Sequence, residues 1–230
     1  MRILGIDTSG KVASAAFTDD ETLVCEKILL TKLTHSQIIL PMVKEVMAES
    51  SVDFSDIDCI AIARGPGSYT GLRIGIAAVK GICLGSPNIK CAGVSTLEAL
   101  AYNCVSFCGK IISVMKARPG VIYEGEFISD GNKLERAADD KVAKESDLFE
   151  NLAVNEKTML TGDYAREIKE KYFAENENVI CASSENRMQR ASSLCAAVRN
   201  NKELIIPSAD ILEPAYLQAT KAEKDKFHRD

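Results

Sequence analysis

The stretch Ala61 to Ile76, AIARGPGSYTGLRIGI, constrains this chain most. Ile57 to Ala63 is apolar but for Asp58, as in a parallel strand covered on both faces. Gly65-Pro66-Gly67 ends that run, and the apolar spacing beyond it is helical. A strand that turns directly into a helix belongs to a βα unit, which places the chain among the α/β folds. The helix is expected over Thr70 to Leu84, with Ser68 or Thr70 as N-cap. It carries Gly71, Gly75 and Gly81, and each interior glycine costs about 1 kcal/mol relative to alanine. Close approach by another group must offset that loss. Wound at 100° per residue, Leu72, Ile76, Val79 and Cys83 form a stripe for the sheet. Gly71, Ile74, Gly75, Ala78, Gly81 and Ile82 form a second, flat face with little side-chain bulk. That face suits either packing within the chain or a subunit interface with Arg73 and Lys80 at its rim.

The same alternation runs through the rest of the chain. Arg2 to Asp7, Val12 to Thr18 and Thr22 to Leu29 read as strands with tight connections, hence an antiparallel ladder. After Thr34, Ile39, Met42, Val43, Val46 and Met47 recur at helical spacing, with Pro41 expected to kink the helix. Lys90 to Val94 is a strand and Thr96 to Cys104 a helix, so residues 1–106 read β-β-β-α-β-α-β-α. Residues 107–220 repeat the order. Lys110 to Ala117 is a strand, and Val121 to Ile128 pairs with Lys133 to Arg136 around Asp130-Gly131-Asn132. Strands at Thr158 to Thr161 and Val179 to Ala182 alternate with helices at Glu145 to Leu152, Tyr164 to Phe173 and Ala191 to Arg199. ILGIDTSGKVASAAF overlays ISVMKARPGVIYEGEF with matched apolar positions and a glycine turn, the mark of two related halves. The last segment of the second half is expected to pack back on the first, and 221–230 reads as a polar, frayed tail.

Composition limits the function classes. At 230 residues and 46% hydrophobic, the chain can bury a sizeable core. A net charge of −5 argues against a broad basic face that grips nucleic acid unaided. The eight cysteines contain no C-x-x-C pair and mostly sit in apolar runs, the pattern of buried reduced thiols. MRILGIDTSG reads as a first strand rather than a signal peptide, and no segment approaches the ~20 apolar residues of a membrane span. A cytoplasmic protein with no membrane contact is expected.

Catalytic groups are scarce. Asp7-Thr8-Ser9 ends the first strand, and a carboxylate followed by hydroxyls can hold Mg²⁺ and phosphate oxygens. Gly67 and Ser68 near a helix N-terminus can bind an anion. Against this, GPGSYTG matches neither G-x-x-x-x-G-K-[ST] nor G-x-G-x-x-G, a polar β-turn explains Asp7 equally well, and the overlay puts Lys116 where a second carboxylate would stand. His35 has Ile39 where H-x-x-x-H needs its second histidine, and the other histidine is His228, so no histidine zinc site is expected. His35 reads as a helix-start or interface residue. No G-x-S-x-G elbow or H-E-x-x-H motif is present.

Taken together, ILGIDTS, THSQIILPMV, IARGPGSYTGLRIGIAAVKGI, GVSTLEALA, MKARPGVIYEGEF and EPAYLQ closely resemble the TsaB (YeaZ) family over roughly Met1 to Gln218. The resemblance implies an actin/Hsp70/sugar-kinase-like fold of two ribonuclease-H-like βββαβαβα halves. It implies a non-catalytic subunit of the bacterial machinery that makes N6-threonylcarbamoyladenosine in tRNA, at the adenosine next to the anticodon. The related TsaD transfers the threonylcarbamoyl group, and the ATPase TsaE completes the complex. Partners implied are TsaD and TsaE homologues, a second copy in isolation, and tRNA only within the complex. Helices 35–49 and 70–84 are the implied dimer surface, through His35, Ile39, Met42, Gly71, Ile74, Gly75, Ala78, Gly81 and Ile82. Asp7, Thr8, Ser9, Gly67 and Ser68 are the candidate nucleotide or anion contacts. No cofactor is firmly implied, with ATP or ADP expected at most at the TsaD interface. The family turn Asp-Ala-Arg is here Lys116-Ala117-Arg118, which counts against nucleotide in this chain's own cleft. The alternative is an enzyme of the same fold, an ATPase or a glycoprotease-like metallopeptidase.

Overall fold

The structure, a computed structural model, describes residues 1–31, 33–151 and 156–217; the expected polar tail lies outside them. β1 (Arg2–Asp7), β2 (Val12–Asp19) and β3 (Thr22–Leu30) form the antiparallel ladder. α1 (His35–Glu49), β4 (Cys59–Gly65), α2 (Tyr69–Gly85), β5 (Lys90–Ser95) and α3 (Thr96–Tyr102) follow. β4 runs parallel to β1, and β5 parallel to β4, so the strands lie in the order β5-β4-β1-β2-β3. The second half contains β6 (Cys108–Arg118), β7 (Val121–Asp130), β8 (Leu134–Lys144), α4 (Glu145–Asn151), β9 (Thr158–Thr161), α5 (Ala165–Tyr172), β10 (Val179–Cys181) and α6 (Ala191–Asn200). Its sheet repeats the arrangement as β10-β9-β6-β7-β8. Two βββαβαβα halves with the same strand order are the actin/Hsp70/sugar-kinase-like fold.

Strand alternation explains the layers. On one face of the first sheet, Leu4, Ile6, Ile60 and Ile62 join Ile39, Val43 and Val46 of α1 and Ile76 and Val79 of α2. On the other face, Ile3, Cys59, Ala61, Ala63 and Ala92 meet Leu194, Cys195, Ala197 and Val198 of α6. The small residues there let the α6 backbone come close. α6 thus follows the second half in sequence yet packs on the first, and β11 (Ile205–Ile206) then extends the first sheet antiparallel to β5. Glu26 on β3 holds the start of α6, accepting from Arg190 Nε at 3.1 Å and Ser192 N at 2.9 Å. α3 sits between the sheets, its Leu97, Leu100 and Ala101 packed with Ile111, Met115 and Phe127 of the second. Leu148, Ala165 and Ile168 of α4 and α5 cover that sheet's far face.

Two local expectations change, while Pro41 lies inside α1 as expected. β8 runs on to Lys144, well past Arg136. Its tail is charged and lacks apolar alternation, which an edge strand tolerates because only its backbone pairs with β7. α1 continues as one helix through Pro41. Cys108 is exposed, while Cys59, Cys91, Cys104 and Cys195 are buried, and all eight thiols are free.

Candidate functional site at the Asp7 turn and the α1–α2 surface

The sheet brings the end of β1 and the start of α2 together, as the sequence suggested, but knits them to each other. Asp7, Thr8 and Ser9 are all fully buried. Asp7 Oδ1 accepts from Ser9 N at 2.8 Å and Ser9 Oγ at 2.6 Å. Thr8 Oγ1 donates to Gly71 O at 2.8 Å, and Ser68 N donates to Ser9 O at 2.7 Å. Ser68 is the α2 N-cap, its Oγ accepting from Gly71 N at 3.2 Å. A side chain at Gly67 would overlap Ser9 O, so the loop lies directly on the turn. The Gln189 amide covers Gly10 on another side, and His35 Nε2 bonds the Gly10 carbonyl at 2.9 Å.

The Ser9 N–H, both hydroxyls and the Ser68 N–H are all engaged within the turn. Asp7, Thr8, Ser9, Gly67 and Ser68, the five residues expected as nucleotide or anion contacts, are thus tied to one another across β1 and α2. Asp7 Oδ2 has no partner, and burial pushes the carboxyl up to about 6, against the lowering pull of the Ser9 bonds. At the equivalent end of β6, Lys116 is exposed, its Nζ 4.9 Å from the Tyr164 ring centre. Beside it, burial raises the Asp163 carboxyl, and the Lys116 N–H pulls it down. Neither Gln189 nor Asp163 was singled out in the sequence. Both lie on irregular segments, where no periodicity marks what a side chain will meet.

The helix surface also differs in detail. Ile39 and Met42 are 1% and 6% exposed and belong to the core beneath α1. Gly71 and Gly75 face inward: a Cβ on either would strike Thr8, and one on Gly75 would also lie 2.9 Å from Ile62 Cδ1. Gly71 and Gly75 are thus internal, because the β1 turn occupies their part of the α2 face, while Ile39 and Met42 are held in the core under α1, Met42 at the edge of a groove. Ile74, Ala78 and Ile82 are partly buried against the core shared with α1, and His35 is half-buried. Of the α2 glycines, Gly81 is exposed, as is Gly85 at the helix end, with nothing within 4 Å of either Cβ position.

Several of the residues that remain outside are apolar. Ala77 and Leu84 flank Gly81 on α2, Leu84 being 83% exposed. Leu40 of α1 and Leu33 just before it are exposed, as are Leu29 and Leu30 at the end of β3. Between β3 and α1 lies a groove of about 330 Å³, lined by Ile28, Leu29, Ile38, Pro41 and Met42 with Lys27 and Glu45 at its edge. Leu33 and Leu40 went unnoticed in the sequence because they fall outside the buried stripe that defines the helix.

A family model described as "TsaD: tRNA N6-adenosine threonylcarbamoyltransferase" matches residues 29–223. The tRNA threonylcarbamoyladenosine biosynthesis protein TsaB of Bacillus subtilis is 34% identical over 160 residues, 70% of this chain and 69% of that protein. The chain belongs to the TsaB family. TsaB of Escherichia coli is 38% identical over 134 residues, and the chain spans 57% of its length. YeaZ from Pseudomonas aeruginosa shares the fold, with a TM-score of 0.77 at 23% identity, covering 94% of this chain and 99% of that one. TsaB membership agrees with a chain whose helices leave exposed apolar side chains. Among the described residues no helix is long and apolar enough to cross a membrane.

Proposed function

We propose that this protein is a scaffolding subunit of the machinery that makes N6-threonylcarbamoyladenosine in tRNA, and that it engages a TsaD-type paralogue through α1, the end of β3 and the outer side of α2. The observation that carries this reading is the exposed apolar side chains of Leu30, Leu33 and Leu40 at the end of β3 and the start of α1, with Leu84 exposed near the open Gly81 on α2. Large exposed apolar patches mark interaction sites, and a small residue at Gly81 lets a partner helix approach closely. The locked Asp7 turn supports a role without nucleotide chemistry in this chain's own cleft, leaving transfer to the paralogue. An ATP or ADP contact, if the complex has one, belongs to the shared surface, and tRNA is reached only through the complex.

The test is co-purification with the TsaD homologue of the same cell. Gly81→Phe adds bulk where nothing stands within 4 Å, so the fold is kept while the surface is blocked. Leu40→Asp places a charge in the apolar patch. Each is expected to weaken binding at least tenfold, about 1.4 kcal/mol. Wild-type binding by both variants would refute this surface, and the absence of any complex with wild-type protein would refute the function.

A further inference from the structure

The last turn of α2 and the start of β5 bring two thiols into contact that the proposed function does not use. Cys83 Sγ lies 3.3 Å from Cys91 Sγ. Among the described residues no second pair of sulfurs makes such a contact; Cys108, the exposed thiol, donates instead to Asp130 O at 3.2 Å. A disulfide needs S–S of about 2.05 Å, so the two sulfurs must close by a little over an ångström, within reach of side-chain rotation at the half-buried Cys83. The two differ in access. Cys83 lines a cavity of about 220 Å³ with Lys80, Leu84, Pro87 and Asp210, large enough for a small oxidant. Cys91 is fully buried behind it.

We propose that Cys83 and Cys91 are an oxidisable dithiol, in which Cys83 takes a peroxide and Cys91 resolves it to an intramolecular disulfide. The Cys83 thiolate attacks one peroxide oxygen, the O–O bond breaks, and Cys83 becomes a sulfenic acid as the second oxygen leaves as water. Cys91 then attacks the Cys83 sulfur, forming the S–S bond and expelling the sulfenic oxygen as a second water. Two thiols are oxidised by two electrons and one peroxide is reduced to two waters. Burial raises both thiols above their ordinary range. Since the thiolate is the nucleophile, the reaction is slow at neutral pH and speeds up as pH rises. The bond would tie the last turn of α2, which carries the exposed Leu84, to the sheet.

The experiment treats the full chain with hydrogen peroxide, alkylates the remaining thiols in denaturant and maps the peptides. Cleavage after Lys80 and Lys90 separates the two cysteines, so a linked peptide reports the bond and fragmentation places it at Cys91. The expected result is that this link forms before any other, about tenfold faster for each pH unit between 7 and 9. Cys83→Ser is expected to abolish it. In Cys91→Ala the sulfenic acid has no resolving thiol, so dimedone should label Cys83 there and not in the wild type. A link between other cysteines that forms first, or no dimedone adduct at Cys83 in Cys91→Ala, overturns the proposal.

Discussion

Replacing Gly75 and Gly81 separately by alanine separates what helix propensity predicts from what the fold imposes. Both lie inside α2, and propensity alone makes each Gly→Ala change stabilising by about 1 kcal/mol. At Gly81 that is the whole effect, because the new methyl points to solvent with nothing within 4 Å. At Gly75 the methyl would overlap Thr8 Oγ1 and sit 2.9 Å from Ile62 Cδ1. Overpacking of this kind costs about 1–3 kcal/mol. That overlap forces Thr8 Oγ1 to move, so it also loses its bond to Gly71 O at 2.8 Å, leaving a buried hydroxyl unsatisfied at a further cost of about 1–3 kcal/mol. Subtracting the propensity gain, Gly75→Ala should destabilise by about 1–5 kcal/mol. For a chain of this size each kcal/mol moves Tm by about 2–4 °C. Gly81→Ala should therefore raise Tm by about 2–4 °C, and Gly75→Ala should lower it by at least that much. Calorimetry on both variants, with urea titration as a second measure, decides the matter. Two shifts of the same sign would refute the assignment of Gly75 to the β1 turn and Gly81 to the surface.

The buried Asp7 carboxyl binds its proton more tightly in the folded than in the unfolded state, so its contribution to stability is present at low pH and is lost as pH rises from about 4 through 6. A rise of two pKa units corresponds to about 3 kcal/mol. Asp7→Asn keeps an acceptor for Ser9 and should remove this dependence, seen as a wild-type-minus-variant difference in urea unfolding that declines between pH 4 and pH 7; a flat difference would contradict the burial. Arg190→Ala leaves the Glu26 side chain, 6% exposed, with only the Ser192 N–H, and should destabilise by about 2–3 kcal/mol. Hydrogen exchange should show that loss concentrated in α6, and protection of α6 equal to the wild type would argue against the latch.

Residue patterns alone carried the element order. Apolar runs of strand length, the period change after Thr34 and the Gly-Pro-Gly stop before α2 are local signals, and each rests on which backbone conformation its own residues favour. They also located the turns at Asp7 and Lys116 and narrowed the α2 cap to Ser68 or Thr70, of which the structure shows Ser68. What they left open is where each face points once the elements pack. On a helical wheel Gly71, Gly75 and Gly81 fall within one face about 120° wide, with Gly75 and Gly81 at its two edges; the position of the β1 turn makes two of them internal and one external. That Ser68 N and Asp7 engage the polar groups of Ser9 is likewise visible only in the fold. α6 reads as the last helix of the second half, and it crosses to the first because Ala61, Ala63 and Ala92 leave room there for its backbone. The sequence thus determined the repertoire of elements, since those preferences are local, whereas the allocation of surfaces between core and partner came from contacts far apart in the chain, which no local pattern encodes.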